Sequence, residues 1–189
     1  MIDDSDAVEV GAHLGQALEQ AGHAYAIGGA LAYGFFGIPR ATQDVDLNVF
    51  VETDQLEAVF DTMATAGVAF DPTRARAEAA EQGMFIGRFQ QMRIDVFVPS
   101  IPFSWEAAKT RVRRTIAGEQ LWFLSAEAIT IFKLLFFRGK DLVDLERLVS
   151  VQGRRLDAAY VRRHLVEMMG EDDVRVSKWD ELVRDFAPR

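Results

Sequence analysis

The chain has 189 residues, of which 49% are hydrophobic and 26% charged, with a formal net charge of −8 and no cysteine. A chain of this length fits one α/β domain with a helical extension and buries most of its unfolded surface without staples. The lack of cysteine excludes a disulfide framework, a thiol nucleophile and a cysteine-based zinc site. The acidic balance argues against a broad, non-specific nucleic-acid surface, while leaving room for a local basic cleft.

The opening Met1-Ile2-Asp3-Asp4-Ser5-Asp6 is acidic, the opposite of a secretory leader. Ala7 to Gln20 places Val8, Val10, Leu14 and Leu18 at near-helical spacing and stops before Gly22. Ala24 to Ile27 reads as a short strand, Gly29 to Phe36 as a short helix, and Pro39 to Thr42 as a loop. Asp44 to Val51 is a strand rich in Val, Leu and Phe. Asp54 to Ala66 is an amphipathic helix, with Asp54 and Glu57 spaced as a capping box. Val68 to Phe70 is a candidate strand and Arg74 to Gln82 a helix. Met84 to Gln90 and Met92 to Val98 read as paired strands. Trp105 to Lys109 reads as a short helix, and Arg111 to Ile116 with Gln120 to Phe123 as a hairpin. From Ser125 the pattern becomes helical: Ala126–Arg138, Asp141–Val151, Leu156–Met169 and Ser177–Phe186. The longest apolar segment, Ala126 to Phe137, is interrupted by Glu127 and Lys133 and is too short to span a membrane. The expectation is a soluble, cytoplasmic α/β (α+β) protein with no membrane partner: a small mixed-sheet core over 1–124, then a helical region over 125–189.

Chemistry concentrates in a few residues. Gly28 and Gly29 follow a strand and open a helix, a position that lets backbone approach a ligand and offers N–H groups to an anion. On its own such a pair is more often a plain turn, and it gains weight from the acids that follow. Asp44 and Asp46 sit at i, i+2 within a strand, so both side chains leave one face about 6.5–7 Å apart. Like charges at about 5 Å repel by roughly 3 kcal/mol at an effective dielectric near 20, a cost usually offset by a cation. Asp95 interrupts the apolar run Met92–Val98 and shares a face with Arg93 and Phe97. If the two acid-bearing strands are neighbours, three carboxylates converge, a hard-oxygen set suited to Mg²⁺ or Mn²⁺. The alternative for Asp95 is a salt bridge to a nearby arginine. His13, His23 and His164 are scattered, and neither a P-loop nor a Gly-x-Gly-x-x-Gly fingerprint is present. Arg111, Arg113 and Arg114 cluster as solvated surface; Arg111 and Arg113, which share one strand face, suit one wall of an acceptor cleft or an exposed hairpin.

The string from Gly28-Gly29 through Pro39-Arg40-Ala41-Thr42-Gln43 to Asp44-Val45-Asp46 resembles the signature of the DNA polymerase β-like nucleotidyltransferase superfamily. Arg40 and Thr42 before the acids, Lys133, and Arg138-Gly139-Lys140-Asp141 downstream are similar to its minimal bacterial branch, which includes the AbiEii-type abortive-infection toxins. The resemblance covers roughly residues 24–148. It implies a nucleotidyltransferase fold and transfer of a nucleotide from an NTP to an acceptor hydroxyl or phosphate, with pyrophosphate leaving. It also implies that Asp44, Asp46 and Asp95 are catalytic and hold Mg²⁺ or Mn²⁺, with Asp95 bridging or acting as general base. Gly28, Gly29, Arg40, Lys133, Arg138 and Lys140 would bind the nucleotide. Many members of the superfamily carry Gly-Ser where this chain has Gly28-Gly29, so a hydroxyl contact is missing. Asp141 and Asp144 would orient Lys140 or touch the acceptor, or Asp141 would simply cap a helix. The branch points to RNA, tRNA above all, as acceptor and to a cognate antitoxin as partner. The alternatives are an enzyme that modifies an aminoglycoside or lincosamide, a non-catalytic nucleotide-binding module, and a metal nuclease.

Overall fold

The computed structural model describes residues 6–186; most of the acidic opening read above as non-secretory lies outside them. The first helix, α1 (Ala7–Gln20), begins where Asp6 accepts a hydrogen bond from the Val8 N–H at 2.7 Å, and it buries Val10, Leu14 and Leu18. There follow β1 (Tyr25–Ile27), α2 (Gly29–Tyr33), β2 (Asp44–Val49), α3 (Leu56–Thr65), β3 (Val68–Ala69), α4 (Pro72–Gln82), β4 (Met84–Phe89) and β5 (Met92–Phe97). The chain continues through α5 (Pro102–Thr110), β6 (Val112–Ile116), β7 (Glu119–Phe123), α6 (Ala126–Phe136), α7 (Gly139–Gln152), α8 (Ala158–Met169) and α9 (Val174–Phe186). No helix among the described residues is long and apolar enough to cross a membrane.

Backbone contacts divide the described chain into two units, residues 6–31 with 41–124 and residues 32–40 with 125–186. The first unit holds the seven-stranded mixed sheet, in the order β3-β4-β5-β2-β1-β7-β6. The β2–β5 and β1–β7 pairs are parallel, and the other neighbours run antiparallel. Alternation sorts the central strands. Val45, Leu47, Ile94 and Val96 are fully buried, while Asp44, Asp46, Arg93 and Asp95 project from the other face. Core apolar residues thereby fix the register that lines up the polar ones.

Several helix starts lie two or three residues from the sequence reading, among them α5 at Pro102 and α9 at Val174, and in two the cap explains the shift. The Asp54–Glu57 capping box does not form: residues 53–55 make a 3₁₀ turn and α3 starts at Leu56, with Gln55 at its N-cap and no side-chain cap bond. In α4 the start moves back to Pro72, because Asp71 accepts from the Thr73 and Arg74 N–H groups and proline suits the first helical position.

The second unit packs α6 to α9 with the 32–40 segment, its core including Leu134, Leu145, Leu148, Val161, Leu165 and Trp179. Ser125 caps α6 by accepting from the Ala128 N–H at 3.1 Å. Asp141, in the first turn of α7, accepts from the Arg138 backbone N–H at 3.3 Å, so the helix-start reading of this residue describes its geometry.

Candidate active site

In the first unit β2 and β5 are neighbours, the condition on which convergence of the three acids depended. Their parallel register sets Asp46 opposite Asp95 and Asp44 opposite Arg93. On the far side of β5, β4 continues both rows, with Ile86 opposite Asp95 and Arg88 opposite Arg93. On the near side Gly28 extends the β1 register, its N–H donating to the Asp46 carbonyl at 2.8 Å. One row therefore runs Ile86, Asp95, Asp46, Gly28, and the next runs Arg88, Arg93, Asp44. Arg88 and Asn48, which lies on the same face of β2, were not singled out from sequence. The alternation in Met84–Phe89 gave Arg88 a face, but only the long-range register shows which acids share it.

The glycine pair has a steric reason here. A Cβ on Gly29 would lie 1.7 Å from Asp46 Oδ2, and one on Gly28 would lie 2.7 Å from Asn48 Nδ2. Gly29 also has φ +51°, a left-handed conformation that glycine adopts without cost. The pair thus lets the polar face of β2 close on the β1–α2 turn. Because the Gly28 N–H is spent on the Asp46 carbonyl, it is not offered to an anion as expected. α2, five residues long, carries Gly29 in its first turn beside the Asp46 carboxylate.

Each acid has a defined neighbour. The Thr42 hydroxyl donates to Asp44 Oδ1, so Thr42 shapes the acid it precedes. Arg93 Nε–H donates to Asp95 Oδ1 at 2.6 Å, which realises the salt-bridge alternative for Asp95. The bond to Asp95 holds the Arg93 guanidinium proton more firmly than usual; burial opposes it, and the charges of Asp95, Asp44 and Asp46 add to it. With its arginine half exposed, such a pair is worth roughly 0.2–1 kcal/mol.

The three carboxylates fit a hard divalent cation in donor chemistry and in backbone placement on adjacent strands. Their side chains are turned to Thr42, Gly29 and Arg93, and among the described residues no three His, Cys, Asp or Glu side chains are gathered around one metal position. A separate cavity of about 420 Å³, lined in part by Leu56, Gln82, Val98 and Ser100, contains none of the sequence-predicted site residues.

The remaining sequence-predicted residues, Arg40, Lys133, Arg138 and Lys140, belong to the second unit. Lys133 is not a surface cation: it is 8% exposed and its Nζ donates to Asp144 at 2.7 Å and to Asp141 at 3.2 Å. Arg138 Nε–H donates to Asp141 at 2.6 Å, and Arg40 lies 3.5 Å from Asp144. Burial pushes the Asp141 carboxyl up, but Arg138 and Lys133 together outweigh it and hold it below its ordinary value. Lys140 is exposed. Asp141 and Asp144 thus pair with Lys133 in this unit, in place of the expected orientation of Lys140.

No family model and no curated protein matches the sequence. Solved structures do match. The solution structure of the antibiotic-resistance factor ANT(2'')-Ia aligns with a TM-score of 0.61 at 15% identity, over 88% of this chain and 97% of that one. A crystal structure of an antigenic nucleotidyltransferase-like protein from Paracoccidioides brasiliensis aligns with a TM-score of 0.55 at 19% identity, over 94% of each chain. The crystal structure of ANT(2'')-Ia in complex with adenylyl-2''-tobramycin gives 0.52 at 15% identity, over 95% of each. At these identities the likeness speaks for architecture, and the chain has the mixed α/β nucleotidyltransferase fold with C-terminal helices.

Proposed function

We propose that this chain is a metal-dependent nucleotidyltransferase that moves a nucleotide from an NTP to an acceptor hydroxyl or phosphate. The observation that carries the reading is the placement of Asp46 beside Asp95, with Asp44 on the same face and the Gly28-Gly29 turn closed on Asp46. On this reading Asp44, Asp46 and Asp95 hold Mg²⁺ or Mn²⁺, which when bound supplies charge neutralisation and orientation for the triphosphate. Gly28 and Gly29 keep the turn free of side chains where the nucleotide approaches. Asp95 takes the proton of the attacking acceptor oxygen. A bond forms from that oxygen to the α-phosphorus as the bond to the β-phosphate oxygen breaks, and pyrophosphate leaves. Arg40, Arg138 and Lys140 enter the proposal as phosphate contacts. Lys133 enters as the residue that neutralises Asp141 and Asp144.

The branch resemblance favours an RNA acceptor, tRNA first, and with it an antitoxin partner. A second reading, a small cationic acceptor, has its own support. A net charge of −8 attracts a polycation and repels a polyanion. A structure of the same fold has been solved with adenylyl-2''-tobramycin.

The test is incubation with each labelled NTP and Mg²⁺, with tRNA in one arm and tobramycin in the other, comparing wild type with Asp44→Asn. Labelled product and pyrophosphate are expected from wild type. The variant should lose about a hundredfold or more, the order seen when one electrostatic contact to a transition state is removed. Equal behaviour of the two proteins in every arm would remove the proposal.

A further inference from the structure

The acid face carries its own cation. Arg93 stands opposite Asp44 on the neighbouring strand and two residues from Asp95 on the same face, and its Nε–H donates to Asp95 Oδ1 at 2.6 Å. Arg88 stands opposite Arg93 on its other flank. Like-charge repulsion from that side favours a guanidinium leaning toward the acids. The Asp95 side chain is 13% exposed and that of Arg93 47%. The carboxylate is therefore held in the sheet, whereas the guanidinium reaches solvent on a long, flexible stem.

We propose that Arg93 is a displaceable counter-cation, which takes the positive place among Asp44, Asp46 and Asp95 and must leave Asp95 before a divalent ion is bound there. The inference rests on the nucleotidyl-transfer reading for the identity of the ion. Its physical basis is competition. A guanidinium and a dication cannot both draw on Asp95 without strong mutual repulsion at so short a distance. The exposed arginine is the partner that can move at little cost. Arg93 is accordingly a positioning residue, which sets how much metal is needed to assemble the site.

Titration with Mn²⁺ alone, with free ion followed by electron paramagnetic resonance and folding checked by circular dichroism, tests this on wild type, Arg93→Gln, Arg93→Lys and Asp95→Asn. Arg93→Gln should bind Mn²⁺ about tenfold or more tighter than wild type, since removal of a nearby positive charge favours the dication. Arg93→Lys keeps the charge and should stay near wild type, and Asp95→Asn should bind more weakly. A residue that only supports the fold would weaken binding when lost, so tighter binding is a signature that such a role does not produce. Mn²⁺ affinity in Arg93→Gln equal to or below that of wild type overturns the inference. The two readings fail separately. Equal affinities with turnover still abolished in Asp44→Asn remove only the role of Arg93. A gain in affinity with no turnover in any arm removes the transfer reading and keeps that role.

Discussion

At Gly29 a single hydrogen atom decides how near an acid can come to a turn. Asp46 Oδ2 occupies the space that any Cβ at this position would take, and the backbone is left-handed there. Gly29→Ala should therefore cost more than its strained φ alone, and a total loss of about 1–3 kcal/mol is expected. It should also push the Asp46 carboxylate away from the turn. Urea unfolding measures the first effect, and loss of Mn²⁺ or NTP binding in the folded variant measures the second. Unchanged stability would contradict the close approach. The same residues show how far sequence carried the site. Asp44, Asp46 and Asp95 stood out because a strand has period two and an acid among Val, Ile and Phe needs a partner. Sequence left the partner of Asp95 open between a metal and an arginine, and the Arg93 bond emerges only when the side chains are placed. Asn48 escaped notice because its packing against Gly28 follows from the β1–β2 register, which residue spacing alone does not give.

Among the elements, local chemistry explains the starts that sequence located and those it misplaced. The span of α1 and the pairing of β4 with β5 follow from apolar periodicity and turn residues. Two acids close to helix starts, Asp54 and Asp71, differ in geometry. Asp71 accepts from two N–H groups at the start of α4, at 2.9 and 3.1 Å. Asp54 lies inside the 3₁₀ turn that precedes α3. Asp71→Ala should lower stability by about 1 kcal/mol, the usual worth of an N-cap, while Asp54→Ala should stay within roughly 0.5 kcal/mol of wild type. Urea midpoints of the two variants, compared side by side, check this. Equal losses would show that the 3₁₀ turn supplies a cap of its own. That the expected Asp54–Glu57 box does not form has a physical cause: residue spacing cannot tell an α-helical first turn from a tighter 3₁₀ turn.

At the scale of the whole molecule, the second unit draws residues 32–40 from early in the chain and holds them by polar contacts to the helices that follow residue 124. The Tyr33 hydroxyl donates to the Asp144 carbonyl at 3.2 Å, and the Gln152 side-chain amide donates to the Phe36 carbonyl at 2.6 Å. The Lys133 ammonium sits 5.4 Å from the centre of the Tyr33 ring. No local pattern announces this membership, because it depends on pairs more than a hundred residues apart. At its centre Lys133 neutralises Asp141 and Asp144, whose side chains are 1% and 5% exposed. Lys133→Met removes the shared cation and leaves buried negative charge, a change expected to cost about 3–5 kcal/mol. Asp141→Asn is gentler, because Lys133 keeps Asp144, and its effect depends on pH. The folded protein holds the Asp141 carboxyl below its ordinary value of 3.8. A carboxyl depressed on folding contributes stability that is fully present above its unfolded pKa and is lost as pH falls through the folded value. The stability gap between wild type and Asp141→Asn should therefore be constant from neutral pH down to about pH 5 and close progressively below about pH 4. Urea midpoints from helical ellipticity across that range measure it. A gap that widened on acidification would mean that the carboxyl is raised on folding, and that the ion pairs with Arg138 and Lys133 do not outweigh its burial.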